Sequence, residues 1–436
     1  MHDWVHSNVG SVTQYQRAGG TPTATTNVYY GGEIPFVTIE DITNGTRFLD
    51  KTVKNLSELG LRTSAAWLIK EPHVLYSMYA TVGKPIINRI PCATNQAIIA
   101  MKESEVIEQD FLFYQLLFIR PQVYKFTSQT TQSNLNASSV RKLPIAYPKD
   151  KAAQRKIASI LSTIDIAIEQ TEALIEKYQH IKAGLMHDLF TRGVLPNGQL
   201  RPPREQSPEL YQETAIGWIP REWTLATLES LLAPVPNNIR SGPFGSALLK
   251  HELVESGIPF LGIDNIHIES FNAEFRRFVS PKKFNELAKY VVRKKDVVIT
   301  IMGTVGRSCV IPDDLEVALS SKHLWTMTLD PEKVIPRLIC WQLNHSAWVK
   351  AWFRRATQGG IMDAIQSSTL KRLVLPVPDF DEQERIDTRY GFLSSRIAQE
   401  EQRLQKLKLQ KLGLMQDLLT GKVPVTVDAP PSEALA

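Results

Sequence analysis

Apolar residues recur along this chain with two different periods, and the change from one period to the other happens twice. The stretches IPFVTIEDI (Ile34 to Ile42) and VVITIMGTVG (Val297 to Gly306) alternate or run apolar. Both are rich in β-branched and aromatic side chains and bounded by Gly and Pro, which predicts strands. From about Ala152 the period becomes helical: Ile157, Leu161, Ile164, Ile168, Thr171, Ile175, Tyr178, Lys182, Leu185 and Leu189 step by alternate fours and threes. That is a heptad seam. Adding 229 reproduces it as Ile386, Tyr390, Leu393, Ile397, Glu400, Leu404, Leu407, Lys411, Leu414 and Leu418, with the polar breaks at the same places. Prolines ahead of each seam (Pro148; Pro376 and Pro378) and the turn signals TRGVLPNGQ and TGKVP behind it set the ends. They predict helices of roughly 38 residues, on the order of 55–60 Å long.

The rest of the sequence repeats in the same order. IPFVTIEDI returns as IPFLGIDNI (Ile258 to Ile266), and VLYSMYATVGK (Val74 to Lys84) returns as VVITIMGTVGR (Val297 to Arg307). ASSVRKLPIAYP (Ala137 to Pro148) returns as QSSTLKRLVLPVP (Gln366 to Pro378), and GLMHDLFTRGV (Gly184 to Val194) as GLMQDLLTGKV (Gly413 to Val423). Trp4 matches Trp223, although the lead-in IGWIPRE has no counterpart ahead of Trp4. One duplicated unit accounts for all of this. A seam of about five heptads must bury its stripe against a partner, and an equivalent stripe exists in the same chain. The expected fold is α+β: two similar mixed α/β globules separated by two long antiparallel coiled-coil helices, with internal pseudo-twofold symmetry. In that pairing Thr171 and Glu400 should approach each other.

Composition narrows the class. The 436 residues are 43% hydrophobic and 22% charged, as in an ordinary globular protein of two to four domains. No signal-peptide pattern or apolar run of membrane-spanning length is visible, so a cytoplasmic protein is expected. Cys92, Cys309 and Cys340 are far apart and outside any C-x-x-C, which suggests reduced structural thiols rather than disulfides or zinc ligands. The net charge of +5 is modest; basic residues outnumber acidic ones 13 to 11 over 1–142 and 22 to 18 over 201–373. Such a bias favours a polyanionic partner only weakly, because most charged surfaces are simply solvated.

No catalytic pattern emerges. A methyltransferase would need a cofactor-binding Gly-rich strand turn and an [DNS]-P-P-[YFW] motif, and neither occurs. ATVGKP and GTVGRS lack the spacing of a phosphate loop, and PDD (Pro312) and PDF (Pro378) are not followed by the [DE]-x-K of a nuclease metal site. The nine histidines form no ligand spacing, so no metal is expected.

The order of a variable α/β region, an LPxxxP strand exit, AQRKI (Ala153 to Ile157) or EQERI (Glu382 to Ile386), a long helix and GLMxDLxT resembles the specificity subunit of type I restriction-modification enzymes. The resemblance covers nearly the whole chain. It implies target recognition domains at 1–148 and 201–378. It also implies conserved helical regions at 149–200, with a linker, and at 379–423, and a flexible tail at 424–436. Each globule would read one half of a bipartite duplex DNA target. The helices would set the gap and dock two methyltransferase subunits, through which restriction subunits join. The chain itself would be non-catalytic and free of cofactors, with S-adenosylmethionine, ATP and magnesium held by the partner subunits. A scaffold or adaptor that binds proteins without DNA is the alternative that the repeat alone would permit.

Reading duplex DNA requires donors at base edges and cations at phosphates. In the second repeat the candidates are Arg240 beside SGPFGS, Arg276 with Arg277, Lys282 with Lys283, Lys322 and His323 in SKHLW, and Arg354 with Arg355 ahead of TQGG. In the first, TNQ stands where SKH stands in the second, which offers Asn95 and Gln96. Asn or Gln suits adenine, whereas Lys or Arg suits guanine. For any of these residues a plain solvated surface is the competing reading, and TNQ could equally close a strand turn. The seam leucines need no partner, but Gly184, Met186 and Asp188, with Gly413, Met415 and Asp417, are not required by it. They are the candidates for the surface that receives a methyltransferase subunit.

Overall fold

The computed structural model describes residues 3–126, 134–357 and 365–427. The chain divides into two compact units. The first is built from both ends of the chain, Met1–Ile175 with Glu400–Ala436, and the second from its middle, Glu176–Gln399. The division cuts both long helices, Lys151–Thr191 and Phe380–Leu418. Each unit therefore holds one globule, the start of one helix and the end of the other.

In the first unit a five-stranded sheet runs in the order Thr13–Ala18, Ile98–Glu103, Val74–Ser77, Pro85–Asn88, Phe48–Leu49. Beside it a three-stranded sheet places Tyr30–Val37 between Lys54–Leu56 and Ala93–Thr94. The run at Val74–Ser77 is fully buried, as its continuous apolar sequence requires. A separate pair closes the globule: Trp4–Asn8 lies antiparallel to Pro144–Pro148, with Trp4 opposite Pro148. The strand exit before the helix is thus held by the start of the chain, and the helix begins three residues later.

The second unit repeats this plan. Val297–Thr300 and Leu324–Met327 are antiparallel in a four-stranded sheet, as Val74–Ser77 and Ile98–Glu103 are in the first unit. Ile258–Leu261 pairs parallel with Ala318–Ser320, as Tyr30–Val37 does with Ala93–Thr94. Thr224–Thr227 closes on Val374–Val377 in the way Trp4–Asn8 closes on Pro144–Pro148. Additions here are two hairpins, Tyr211–Thr214 with Gly217–Pro220 and Ile266–His267 with Ser270–Phe271.

Within each unit the two helix segments run antiparallel. In the first, Lys408 Nζ lies 2.8 Å from Glu172 and Lys411 Nζ 2.6 Å from Asp165, so the index rises on one helix as it falls on the other. In the second, Lys182 faces Tyr390 while Val194 N, beyond the helix end, donates to Glu382 Oε1. None of the twenty seam positions is exposed. Ile157, Leu161, Ile164 and Ile175, with Leu189, Ile386, Tyr390, Leu393 and Leu418, are buried; Ile168, Tyr178, Leu185, Ile397, Leu404, Leu407 and Leu414 are half-buried. Both polar breaks at the middle are buried too: the Thr171 hydroxyl donates to Ala167 O, and the Glu400 carboxylate sits 3.7 Å from Arg403.

The repeated strings at the helix ends finish on globules of the other repeat. Gly193 follows the first long helix with φ +71° and packs on Trp223, at the start of the second repeat. Gly421 follows the second with φ +74° and packs on Trp4. The left-handed conformation that ends a helix favours glycine, and a Cβ would strike the Glu382 carboxylate and the Arg201 guanidinium at Gly193 and the Trp4 indole at Gly421. Around these ends Leu189, Phe190 and Met186 join the core of the second unit, and Met415, Leu418 and Leu419 that of the first.

Candidate nucleic-acid interface and helix ends

In each unit a glycine-led loop lies against a strand-end turn. In the first unit the loop follows Thr13–Ala18 and the turn follows Ala93–Thr94: Gly20 N donates to Thr94 O at 3.0 Å, and Asn95 N to Val37 O at 3.3 Å. In the second, Gly242 N donates to Ser321 O at 3.1 Å, and Ser321 N to Leu261 O at 3.1 Å. A Cβ on Gly19 would collide with the Thr94 carbonyl, and one on Gly242 with the Ser320 carbonyl, so both positions demand glycine for close backbone approach.

The register of the parallel strand pairs corrects the alignment read from the sequence. Phe36 pairs with Ala93 and Phe260 with Leu319, so Thr94 corresponds to Ser320 and Asn95 to Ser321. Lys322 therefore stands where Gln96 stands, and His323 where Ala97 stands; matching TNQ to SKH was off by one residue. Of the first pair, Asn95 is half-buried and its Oδ1 accepts from Ala97 N at 3.1 Å, which makes it a turn-former. Gln96 is exposed, its Oε1 accepting from the Thr21 hydroxyl at 2.5 Å.

The basic candidates of the second unit separate into two sets. Arg240 is not available to a ligand: it is buried, paired with Asp296, and donates to Asn237 O at 3.0 Å and to Thr328 Oγ1 at 2.9 Å. Arg277 is committed to Asp264, and Lys283 to Glu252 at 2.8 Å and Glu286 at 3.3 Å. Each doublet thus splits: Lys282 and Lys283 face different ways on the short helix Pro281–Glu286, and of Arg276 and Arg277, in the irregular stretch before Phe278–Val279, only Arg277 turns to Asp264. Arg276, Lys282 and Lys322 are exposed. His323 is half-buried, and burial together with the charges of Lys322 and Arg277 holds its pKa below the ordinary value, favouring the neutral ring. Arg354 and Arg355 are exposed near the end of the helix Ala347–Thr357, with Arg355 5.0 Å over the Trp348 ring. The TQGG motif that follows runs into residues outside those described.

Lys322 and His323 border a recess of about 390 Å³ with Pro243, Phe260, Gly262 and Arg277. Beside it Phe244 projects from the loop, 60% exposed, next to Gly245 with φ +59°. Sequence reasoning missed Phe244; the signal was a bulky aromatic between Pro and Gly, where a core residue would not be placed.

At the helix ends the six docking candidates also divide. Met186 and Met415 are buried in the cores and offer no surface to a partner. The string GLM puts Met two residues after Gly, a step that turns it inward. Asp188 pairs with Arg192 at 3.2 Å and Asp417 with Lys422 at 3.4 Å, both half-exposed. Gly184 and Gly413 are exposed, and a Cβ on either would meet no atom within 4 Å. The helix surface near Gly413 carries the bare apolar side chains Leu409 and Leu412, 69% and 65% exposed. Among the described residues no group of three or more His, Cys, Asp or Glu could hold a metal ion, and no helix is long and apolar enough to cross a membrane. The three cysteines are buried and free, and burial pushes the Cys92 thiol up to about 12.

Each unit repeats one plan, a globule packed with the start of one long helix and the end of the other. Residues 1–178 match the family described as the type I restriction modification DNA specificity domain. Over nearly its whole length the chain is also similar to specificity subunits of type I restriction enzymes. It is 21% identical over 430 residues to the MjaVIII specificity subunit of Methanocaldococcus jannaschii, covering 97% of this chain and 93% of that protein. With the EcoBI specificity subunit of Escherichia coli it shares 20% identity over 393 residues, covering 88% and 78%. Its fold is that of the type I S subunit from M. genitalium, with a TM-score of 0.60 at 15% identity over 98% of this chain and 97% of that one.

Proposed function

We propose that this chain is the non-catalytic sequence-specificity subunit of a type I restriction-modification complex, each unit reading one half of a bipartite duplex DNA target. The observation that carries the reading is the repeated packing of a loop glycine, Gly19 or Gly242, against the carbonyl that ends the parallel strand, a frame kept in both units while the exposed side chains beside it differ. A scaffold that only held proteins would have no need to keep the frame and vary the tips. Each long helix begins in one unit and ends in the other, so helix length is the natural determinant of the unspecified gap. The helix ends bearing Gly184 and Gly413 are the docking places for two methyltransferase subunits, and restriction subunits join through these. S-adenosylmethionine, ATP and magnesium belong to those partners, and the complex works in the cytoplasm.

The test is to reconstitute the chain with its cognate methyltransferase and measure binding to a random duplex library at physiological salt. A selected motif of two short blocks separated by unspecified bases is expected. Sequence-independent binding, or none, would overturn the reading. The chain alone should bind weakly, because its +5 charge neutralises few phosphates and affinity follows the number neutralised.

A further inference from the structure

We infer that two matched pairs of side chains, Thr21 with Gln96 in the first unit and Phe244 with Lys322 in the second, are specificity-determining contacts for the two half-sites. The inference rests on the DNA-reading function proposed above and assigns it to particular residues.

The equivalence is structural. Gly19 and Gly242 occupy the same place, each pressed against the carbonyl at the end of the parallel strand, Thr94 in one unit and Ser320 in the other. Thr21 and Phe244 each lie two residues beyond that glycine, and Gln96 and Lys322 each lie two residues beyond that carbonyl. All four side chains are exposed, whereas the frame that presents them, Gly19, Gly20, Gly242, Pro243, Thr94 and Ser320, is buried. A buried, backbone-bonded frame with exposed and chemically different tips is what a reading head requires, since precision comes from the support and selectivity from the tip.

The chemistry differs in a directed way. The Thr21 hydroxyl donates to Gln96 Oε1 at 2.5 Å and fixes the plane of the amide. The second lone pair of Oε1 and the Nε2 hydrogens remain for the two-bond contact that Gln makes with adenine. Lys322 has donors only, which suits the O6 and N7 acceptors of guanine. Phe244 offers Lys322 no hydrogen bond and instead presents an apolar face to the groove beside it, where a thymine methyl or an opened base step would be covered. Lys322 is further set off from its neighbours: the nearby Arg277 is already paired with Asp264, and the adjoining His323 is held neutral.

The experiment exchanges the pairs in the full chain reconstituted with its methyltransferase, and reads base preference at each position by sequencing duplexes selected from a random library. For T21F/Q96K, preference for adenine at one position of one block should fall on the order of 10- to 100-fold in favour of guanine, with the other block unchanged. For F244T/K322Q the converse is expected in the other block. The single variants Q96A and K322A, at exposed positions, should keep the thermal midpoint and relax one position of one block. Unchanged preferences in both blocks, changes in both together, or a uniform loss of affinity across all sequences by a folded variant would overturn the inference. A wild-type complex without a two-block motif would overturn the proposed function instead. If the double variants do not fold, the two alanine variants decide the matter by the same criteria.

Discussion

Gln154 and Gln383 make the same three hydrogen bonds in the two units. The Gln154 amide accepts from Glu108 N at 2.7 Å and donates to Val106 O at 2.9 Å and Pro148 O at 2.8 Å. The Gln383 amide accepts from Ile335 N at 2.9 Å and donates to Lys333 O and Pro378 O, both at 3.0 Å. Each glutamine is buried in the first turn of a long helix and satisfies backbone groups of the globule and of the strand exit. Replacing either by Leu strands one N–H and two carbonyls, and each such orphan costs about 1–3 kcal/mol if water cannot reach it. Gln154→Leu should destabilise the first unit, and Gln383→Leu the second, by about 3 kcal/mol. Urea unfolding followed by hydrogen exchange would measure this, and a loss below about 1 kcal/mol would contradict it.

The seam lysines are balanced differently in the two units. Lys411 Nζ lies 2.6 Å from Asp165, whose other oxygen accepts from Tyr114 at 2.7 Å. At the equivalent of Asp165 the second repeat has Ser394, and Lys182 is met instead at 3.4 Å by Glu269 from a hairpin turn. Lys411→Met should therefore cost about 1–2 kcal/mol by leaving a largely buried carboxylate, and the Asp165→Asn change made in addition should restore part of it. A double variant as unstable as the sum of the singles would show that the pair is uncoupled.

Glu269 gives the second unit a pH dependence. Burial raises its pKa, but hydrogen bonding to His345, the charge of Lys182 and the Tyr390 hydroxyl at 2.8 Å outweigh burial and hold it below its ordinary value of 4.5. A carboxylate whose folded pKa is depressed stabilises above its unfolded pKa, and that contribution is lost as pH falls through the folded value. Acid titration should thus destabilise the wild-type second unit below about pH 4.5 more steeply than the Glu269→Gln variant, which should be the less stable of the two at pH 7. Parallel acid limbs for the two proteins would remove Glu269 from the account.

Much of this architecture was legible in the chain. The heptad seam exposed the helices because Leu, Ile and Tyr at alternate fours and threes have one sensible burial, and all twenty positions are covered. Repeat comparison fixed which strands correspond, because strand order survives changes in loop length. Partnership within the units was not legible: periodicity says that Leu189 and Leu418 are buried, not that each is buried on the globule of the other repeat. Charge was the weakest guide. Arg240 and Arg276 look alike in sequence, yet one neutralises a buried Asp296 and the other is solvated, a distinction that only long-range pairing creates. The one-residue slip at Asn95 and Gln96 has a similar origin, since a strand pairing and not local composition sets that register.

A change in helix length tests the spacer. Seven residues inserted into each long helix at the middle of its seam preserve the a/d pattern and add ~10.5 Å of rise, about three base pairs of duplex at ~3.4 Å each. The gap between the two blocks of the selected motif should lengthen by that amount while the blocks themselves stay the same. A folded complex with an unaltered gap would mean that the helices do not set it.

Gly184 and Gly413 separate folding from assembly. Both lie in helices, where glycine is about 1 kcal/mol worse than alanine, and neither has a neighbour within 4 Å that an added Cβ would strike. If only this chain mattered, Ala would be the better residue at both places. Gly184→Ala and Gly413→Ala should accordingly stabilise the isolated chain by about 0.5–1 kcal/mol each. Gly184→Trp and Gly413→Trp should leave its unfolding midpoint within about half a kcal/mol of wild type, as exposed substitutions do. If the bare helix surface receives a methyltransferase subunit, the same tryptophans should weaken complex formation at least tenfold, each at one of two docking places, as measured by titration of the methyltransferase. Leu409→Glu and Leu412→Glu, on the apolar surface near Gly413, should act at that end only. Full assembly by all of these variants would move the docking surface elsewhere on the chain.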